Sequence, residues 1–183
     1  MRIVPVGLFF HDSENLYEAA SASAEVTHAH PVGKDGAAVL ACAIAQVTRT
    51  DTQKEFRREK FLEGLISFSR TTEIREKMKR VRVLIDKGAS AEEVAERLGQ
   101  SVAVDESMPF AIYSFVCHPN SFEDCLLCAV LNGGDRDTLG AMACAISGAY
   151  LGIQGIPDAW RDKLENREII EGLASALAEA KAT

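Results

Sequence analysis

The stretch Asn132-Gly133-Gly134-Asp135-Arg136-Asp137-Thr138 runs straight into Leu139-Gly140-Ala141-Met142-Ala143-Cys144-Ala145-Ile146-Ser147-Gly148-Ala149-Tyr150-Leu151. Two glycines allow a tight turn and close approach by another group. Asp135 stands where a helix cap belongs, and the small, apolar, proline-free run behind it predicts a buried helix over 135–151.

The same helical reading extends outward in both directions. A further amphipathic helix is expected over 169–180, and one opening at Ser121 runs to Leu131. Upstream, 108–117 is apolar, with Pro109 suited to a first helical turn. Ser90-Ala91-Glu92-Glu93 has the capping-box spacing and opens a short helix that ends at Gly99. Between Asp51 and Arg82 the chain is charged and amphipathic. Phe56, Leu62, Leu65 and Ile66 mark one stripe there; Ile74, Met78, Val81 and Ile85 mark the next, which is closed by Gly88. An Ala-rich buried helix is predicted over 37–47, after a turn at Pro31-Val32-Gly33. A first helix is predicted from a cap at Ser13 to about Val26, because Pro31 turns His30 away from helical backbone. No sustained period-two alternation occurs, so no sheet is expected. The expectation is one all-α domain over 1–183.

Composition narrows the function classes. With 183 residues, 47% apolar and 26% charged, the chain reads as an ordinary globular one that buries about 70% of its unfolded surface. Lys and Arg number 20 against 27 Asp and Glu, a net charge of −7. That balance argues against nucleic-acid or anionic-membrane partners, which need a basic patch. No apolar run reaches the ~20 residues that span a bilayer, and the apolar start at 3–10 lacks a cleavage site. Five cysteines, an odd number in apolar surroundings, fit reduced buried thiols and a cytoplasmic setting.

Asp135, Asp137 and Thr138 gather three oxygen-bearing side chains at one helix start. A hard divalent cation such as Mg²⁺ takes such a set, and exposed N–H groups beside it can receive a phosphate oxygen. Acidic residues in a first turn also simply cap a helix, and spacing alone favours that reading. Elsewhere the bland readings are stronger. His28 and His30 lack zinc-ligand partners at the required spacing, and Cys125-Leu126-Leu127-Cys128 has no second pair and reads as core. Cys117-His118 is adjacency without a demonstrated dyad. The basic run from Arg57 to Arg82 is laced with Glu and reads as a solvated surface. Trp160 reads as packing.

Three blocks, in order, resemble the ADP-ribosylglycohydrolase family. One is Asn132–Thr138 with 141–152 and Ile156-Pro157-Asp158-Ala159-Trp160. Another is Thr27-His28-Ala29-His30-Pro31 with Gly36-Ala37, similar to the family's histidine motif. The third is Glu106-Ser107-Met108-Pro109-Phe110-Ala111-Ile112-Tyr113, which resembles the segment beside the nucleoside. The resemblance implies an all-α orthogonal multi-helix bundle, of which this chain matches the C-terminal half. It also implies a Mg²⁺-dependent hydrolysis releasing ADP-ribose from a modified protein side chain or related acceptor. By it, Asp135, Asp137 and Thr138 are metal ligands of a dinuclear Mg²⁺ site only partly supplied here. His28 is a contact to the diphosphate or ribose, Met108 is a wall of the nucleoside pocket, and His30 is left to local structure. No catalytic residue is carried over.

Two departures bear on that expectation. Arg136 stands where the family usually has Thr, and the family's N-terminal acidic residue and Thr-Asp-Asp cluster are absent. Met1-Arg2 resembles the tail of the family's Gly-Asn-Gly loop, as expected of a fragment, a late-start reading frame or one chain of a split enzyme. The alternative is a non-catalytic helical module that binds ADP-ribose or serves structure, as in family members recruited as crystallins. Either way, self-association or pairing with a second chain is expected, because the missing half would leave apolar surface uncovered.

Overall fold

A computed structural model describes residues 2–99, 101–132 and 134–182, and among them every regular element is helical. The helices are α1 (Val4–Phe9), α2 (Leu16–Glu25), α3 (Pro31–Thr48), α4 (Arg58–Phe68), α5 (Thr72–Asp86), α6 (Ala91–Leu98), α7 (Val104–Cys117), α8 (Phe122–Leu131), α9 (Arg136–Leu151), α10 (Asp158–Arg161) and α11 (Arg167–Ala182), with a 3-10 turn at Ile153–Gly155. No helix is long and apolar enough to cross a membrane among the described residues.

Helix α3 is the axis of the bundle. From Ala38 to Ala45 every side chain is buried, and the helix packs against α1, α2, α4, α5, α7 and α9. Four alanines in that run let neighbouring helices approach closely on several sides at once. α7 forms the second buried layer: Phe110, Ile112 and Phe115 are wholly buried, each contributing about 1.5–3 kcal/mol relative to exposure. α8 and α9 pack on each other and on α7.

Local sequence explains most helix ends. The Ser90 hydroxyl accepts from Glu93 N–H at 3.2 Å and the Ser121 hydroxyl from Asp124 N–H at 3.1 Å. α5 ends in a Schellman turn: Gly88 at φ +66° donates to Ile85 O, and Ala89 donates to Leu84 O. The basic run contributes here as well. Arg75 donates to Ser69 O just past α4, while Lys77 and Arg80 donate to Leu98 O and Arg97 O at the end of α6. These cations satisfy carbonyls that a helix C-terminus leaves without partners.

Several expectations shift. α2 begins at Leu16 rather than Ser13, whose hydroxyl instead accepts from Asn15 N–H in the preceding turn. Pro31 does not sit in a turn but opens α3, with His30 as its cap, since a first helical position needs no N–H. α7 starts at Val104, placing Pro109 inside the helix, where burial on every side outweighs one lost backbone bond. Leu84, not Ile85, completes the buried stripe of α5. α1 has no counterpart in the periodic reading. Six apolar residues are too few to show a helical repeat, though Pro5 at its start is a first-turn signal.

Candidate functional site

A cleft of about 370 Å³ opens where α2, α3, α7 and α9 meet at the N-terminal end of α3. That volume lies in the range of small-molecule sites. One wall is Thr27 and His28 just beyond α2, the floor is Gly33, Gly36 and Ala37 of α3, and Ser107 comes from α7. Asp135 and Thr138 close it from the start of α9, and Arg2 reaches in from the chain's beginning.

The floor depends on Gly36. A methyl group there would stand 2.5 Å from Val104 Cγ2, so only glycine lets α3 and the start of α7 come this close. Above it, the Arg2 guanidinium donates to Thr27 Oγ1 at 3.0 Å and to Ser23 O at 3.3 Å. Thr27 Oγ1 lies 2.7 Å from His28 Nδ1. This chain of contacts fixes the imidazole by one ring nitrogen and leaves Nε2 available. It also brings a permanent cation to the rim, suited to phosphate oxygens.

Helix α9 follows Gly134 at φ +69°, which turns the chain into the cap position. Asp135 is the N-cap residue but makes no side-chain capping bond, so its carboxylate is not spent on the helix backbone. The Asp137 carboxyl is held below the usual carboxylate range, chiefly by a hydrogen bond donated by the Asp135 carboxyl, then by the Thr138 and Asp137 backbone N–H groups. These two carboxyl groups and the Thr138 hydroxyl, gathered at one helix start, are the hard oxygen set that a divalent cation takes once both carboxyls are ionised. The set fits Mg²⁺ in kind and is incomplete in number: among the described residues no group of three or more His, Cys, Asp or Glu side chains is assembled for a metal.

Of the residues singled out from sequence, His28, Asp135 and Thr138 line one cleft. Asp137 is exposed and reaches the site through Asp135 rather than lining the cleft itself. Met108, expected as a wall of the nucleoside pocket, sits on α7. It is fully buried in the core and does not line the cleft; its neighbour Ser107 does, because one residue along a helix turns the side chain by about 100°. His30 accepts from Val32 N–H at 3.3 Å as the cap of α3. Gly133 and Met1 lie outside the described residues. Arg2 and Thr27 were legible only as members of motif blocks, since their roles come from a contact across 25 positions of sequence. Trp160 packs edge-on to Phe122 at 6.2 Å. Burial raises the Cys125 and Cys128 thiols above their ordinary range; Cys125 lies in the core and Cys128 is half-buried against it, whereas Cys117, expected as a buried thiol, is exposed.

The family model of the ADP-ribosylglycohydrolases matches residues 1–183. ADP-ribosylhydrolase ARH3 of Mus musculus is 32% identical over 206 aligned positions, covering 97% of this chain and 55% of the relative. The human ADP-ribosylhydrolase ARH3 is 31% identical, covering 97% and 56%. An uncharacterized protein of Archaeoglobus fulgidus is 36% identical, covering 98% and 56%. The chain thus spans about half the length of these relatives. A solved structure described as an ADP-ribosylglycohydrolase-related protein complex shares the fold at a TM-score of 0.76 and 24% identity, over 96% of this chain and 57% of the other.

Proposed function

The chain belongs to the ADP-ribosylglycohydrolase family, and from that premise we propose that it forms one half of a Mg²⁺-dependent site hydrolysing ADP-ribose from a modified protein side chain or related acceptor. The observation that carries this reading is the convergence of Asp135, Thr138 and His28 on one cleft from elements more than 100 positions apart in sequence.

The division of labour follows from the residues. Arg2 and His28 present donors suited to the diphosphate and ribose, with Thr27 holding the imidazole in place. The floor at Gly33, Gly36 and Ala37 admits a ligand close to the backbone. Asp135, Asp137 and Thr138 would hold Mg²⁺. When bound, the metal would orient ribose hydroxyls and polarise the glycosidic region.

A second reading is binding without turnover by this chain alone. Among the described lining residues, Asp135 is the sole carboxylate, and a carboxylate committed to a metal does not also serve as acid or base. Completion by a second chain accounts for both readings, and exposed Leu131, Ile169 and Leu173 offer apolar surface for such pairing or for self-association. Light scattering tests it: a stable monomer across concentrations would count against pairing.

The deciding experiment is calorimetric titration of this chain with ADP-ribose, with and without Mg²⁺. Saturable binding that strengthens with Mg²⁺ supports the reading. Absence of both heat and thermal stabilisation would remove it.

A further inference from the structure

At the opposite end of α3 lies a second, open cavity of about 530 Å³, lined by the irregular 49–57 segment and the first turn of α4. Along the helix it is about 20 Å from Gly36, at 1.5 Å per residue, so it is separate from the cleft. Its lining is basic on an acidic protein: Arg49, Lys54, Arg57 and Lys60 face it, against Asp51 and Glu55. Asp51 is already taken, paired to Lys54 at 3.0 Å and receiving Gln53 N–H at 3.0 Å. The Arg49 and Lys60 side chains have no hydrogen-bond or ion-pair partner among the described residues. Within the lining, Arg49, Arg57 and Lys60 therefore remain against Glu55, with Glu59 acting on Arg57 from the next turn.

The walls add to this. Phe61 is buried, and Phe56 packs against Phe61, Phe115 and Tyr150 with centroids 5.2–5.5 Å apart, pinning the loop that carries Lys54 and Arg57 to the core. An apolar back wall concentrates the field of the surrounding cations. At the end of α3, Gln46 O accepts from Thr50 Oγ1 and Val47 O from the Arg49 and Thr50 N–H groups, so these two carbonyls already have partners.

We propose that this cavity is a second binding site, for a small diphosphate-bearing ligand held by Arg49, Arg57 and Lys60. A short open concavity rather than an extended basic stripe suits a compact anion, and the net charge of −7 disfavours a polyanionic chain. The site uses no residue of the cleft and does not depend on the proposed hydrolysis.

The test is calorimetric titration with inorganic pyrophosphate in chelator without Mg²⁺, at low and at physiological salt, repeated with ADP to tell a free diphosphate from a nucleotide-borne one. Saturable binding of either, weakened by salt, is expected. Arg49→Gln with Lys60→Gln should weaken it about tenfold or more, since two charge-assisted contacts are lost, while His28→Ala leaves it unchanged. Circular dichroism and thermal melting report whether the double variant folds, and the two single variants carry the same reading if it does not. No saturable binding, binding unchanged in the glutamine variants, or binding abolished by His28→Ala would each overturn the proposal.

Discussion

Thr27 Oγ1 lies 2.7 Å from His28 Nδ1 and receives the Arg2 guanidinium at 3.0 Å, so one hydroxyl ties the imidazole to the chain's first residues. Removing it with Thr27→Val keeps the shape and deletes both contacts. We predict that ADP-ribose binds about 3–10-fold more weakly, the cost of one or two exposed hydrogen bonds. Arg2→Gln should behave similarly and His28→Ala should lose more. Calorimetry at fixed Mg²⁺ checks the order, and equal affinities in all three would detach these residues from the ligand.

Asp135 occupies a cap position without making the cap bond. An ordinary capping Asp costs about 1 kcal/mol when replaced by Ala. Asp135→Ala should therefore cost less than that in urea unfolding while abolishing the Mg²⁺ dependence of ADP-ribose binding. Asp137→Ala should match it in the metal readout, with helical content nearly intact in both. Unchanged Mg²⁺ dependence in the double variant would take the pair out of metal binding.

Both predictions rest on residues that the sequence marks unevenly. Asp135 and Thr138 are legible because a turn, a cap and a first helical turn are local, and side-chain direction follows from them. Ser90, Ser121 and Gly88 were legible for the same reason. Motif similarity names the segment around Met108, whereas helical phase decides which of its residues faces the cleft, and that phase is set four residues upstream, at the Val104 start of α7. The starts of α3 and α7 are not legible locally, because a proline permits a helix start without requiring one: Pro31 opens α3, whereas Pro109 lies inside α7. Arg2 and Gly36 act through partners distant in the chain, Thr27 and Val104, and no local pattern encodes such pairs.

Asp35 is fully buried and accepts from Tyr17 OH at 3.0 Å, from Arg70 N–H at 3.1 Å and from Thr71 N–H at 2.7 Å, joining α2 and α3 to the start of α5. Asp35→Asn turns two N–H donors toward these donors and should destabilise by about 2–3 kcal/mol. Tyr17→Phe should cost about 1 kcal/mol. Equilibrium urea unfolding gives both values.

The same pair sets a pH dependence. Burial, then the hydrogen bond donated to Asp35, pushes the Tyr17 phenol up to about 12 from its ordinary 10. The folded state thus favours the protonated phenol more than the unfolded state does. This contribution is complete below pH 10 and is lost as pH rises from 10 through 12. The stability gap between the wild-type chain and Tyr17→Phe should therefore narrow across that window. A constant gap would show that Tyr17 titrates normally when folded.

Gly36 and Val104 offer the most direct test of how the cleft is built. An added methyl at position 36 meets Val104 Cγ2 at 2.5 Å and Cγ1 at 3.0 Å, contacts too short to persist. Two opposing effects follow from Gly36→Ala. The helix gains roughly 0.5–1 kcal/mol from the better helix former, while overpacking against α7 costs about 1–3 kcal/mol. The clash prevails because the obstacle is a β-branched side chain with a restricted rotamer, so we expect net destabilisation of about 1 kcal/mol. Relief comes only from the partner. Val104→Ala in the Gly36→Ala background should restore stability, giving a coupling of about 1–2 kcal/mol in a double-mutant cycle. Because Ser107 rides on α7 and Gly36 forms the floor, Gly36→Ala should weaken ADP-ribose binding and the double variant should recover part of it. Additive stabilities would mean that α7 moves freely away from α3, and the cleft would then not owe its shape to this contact.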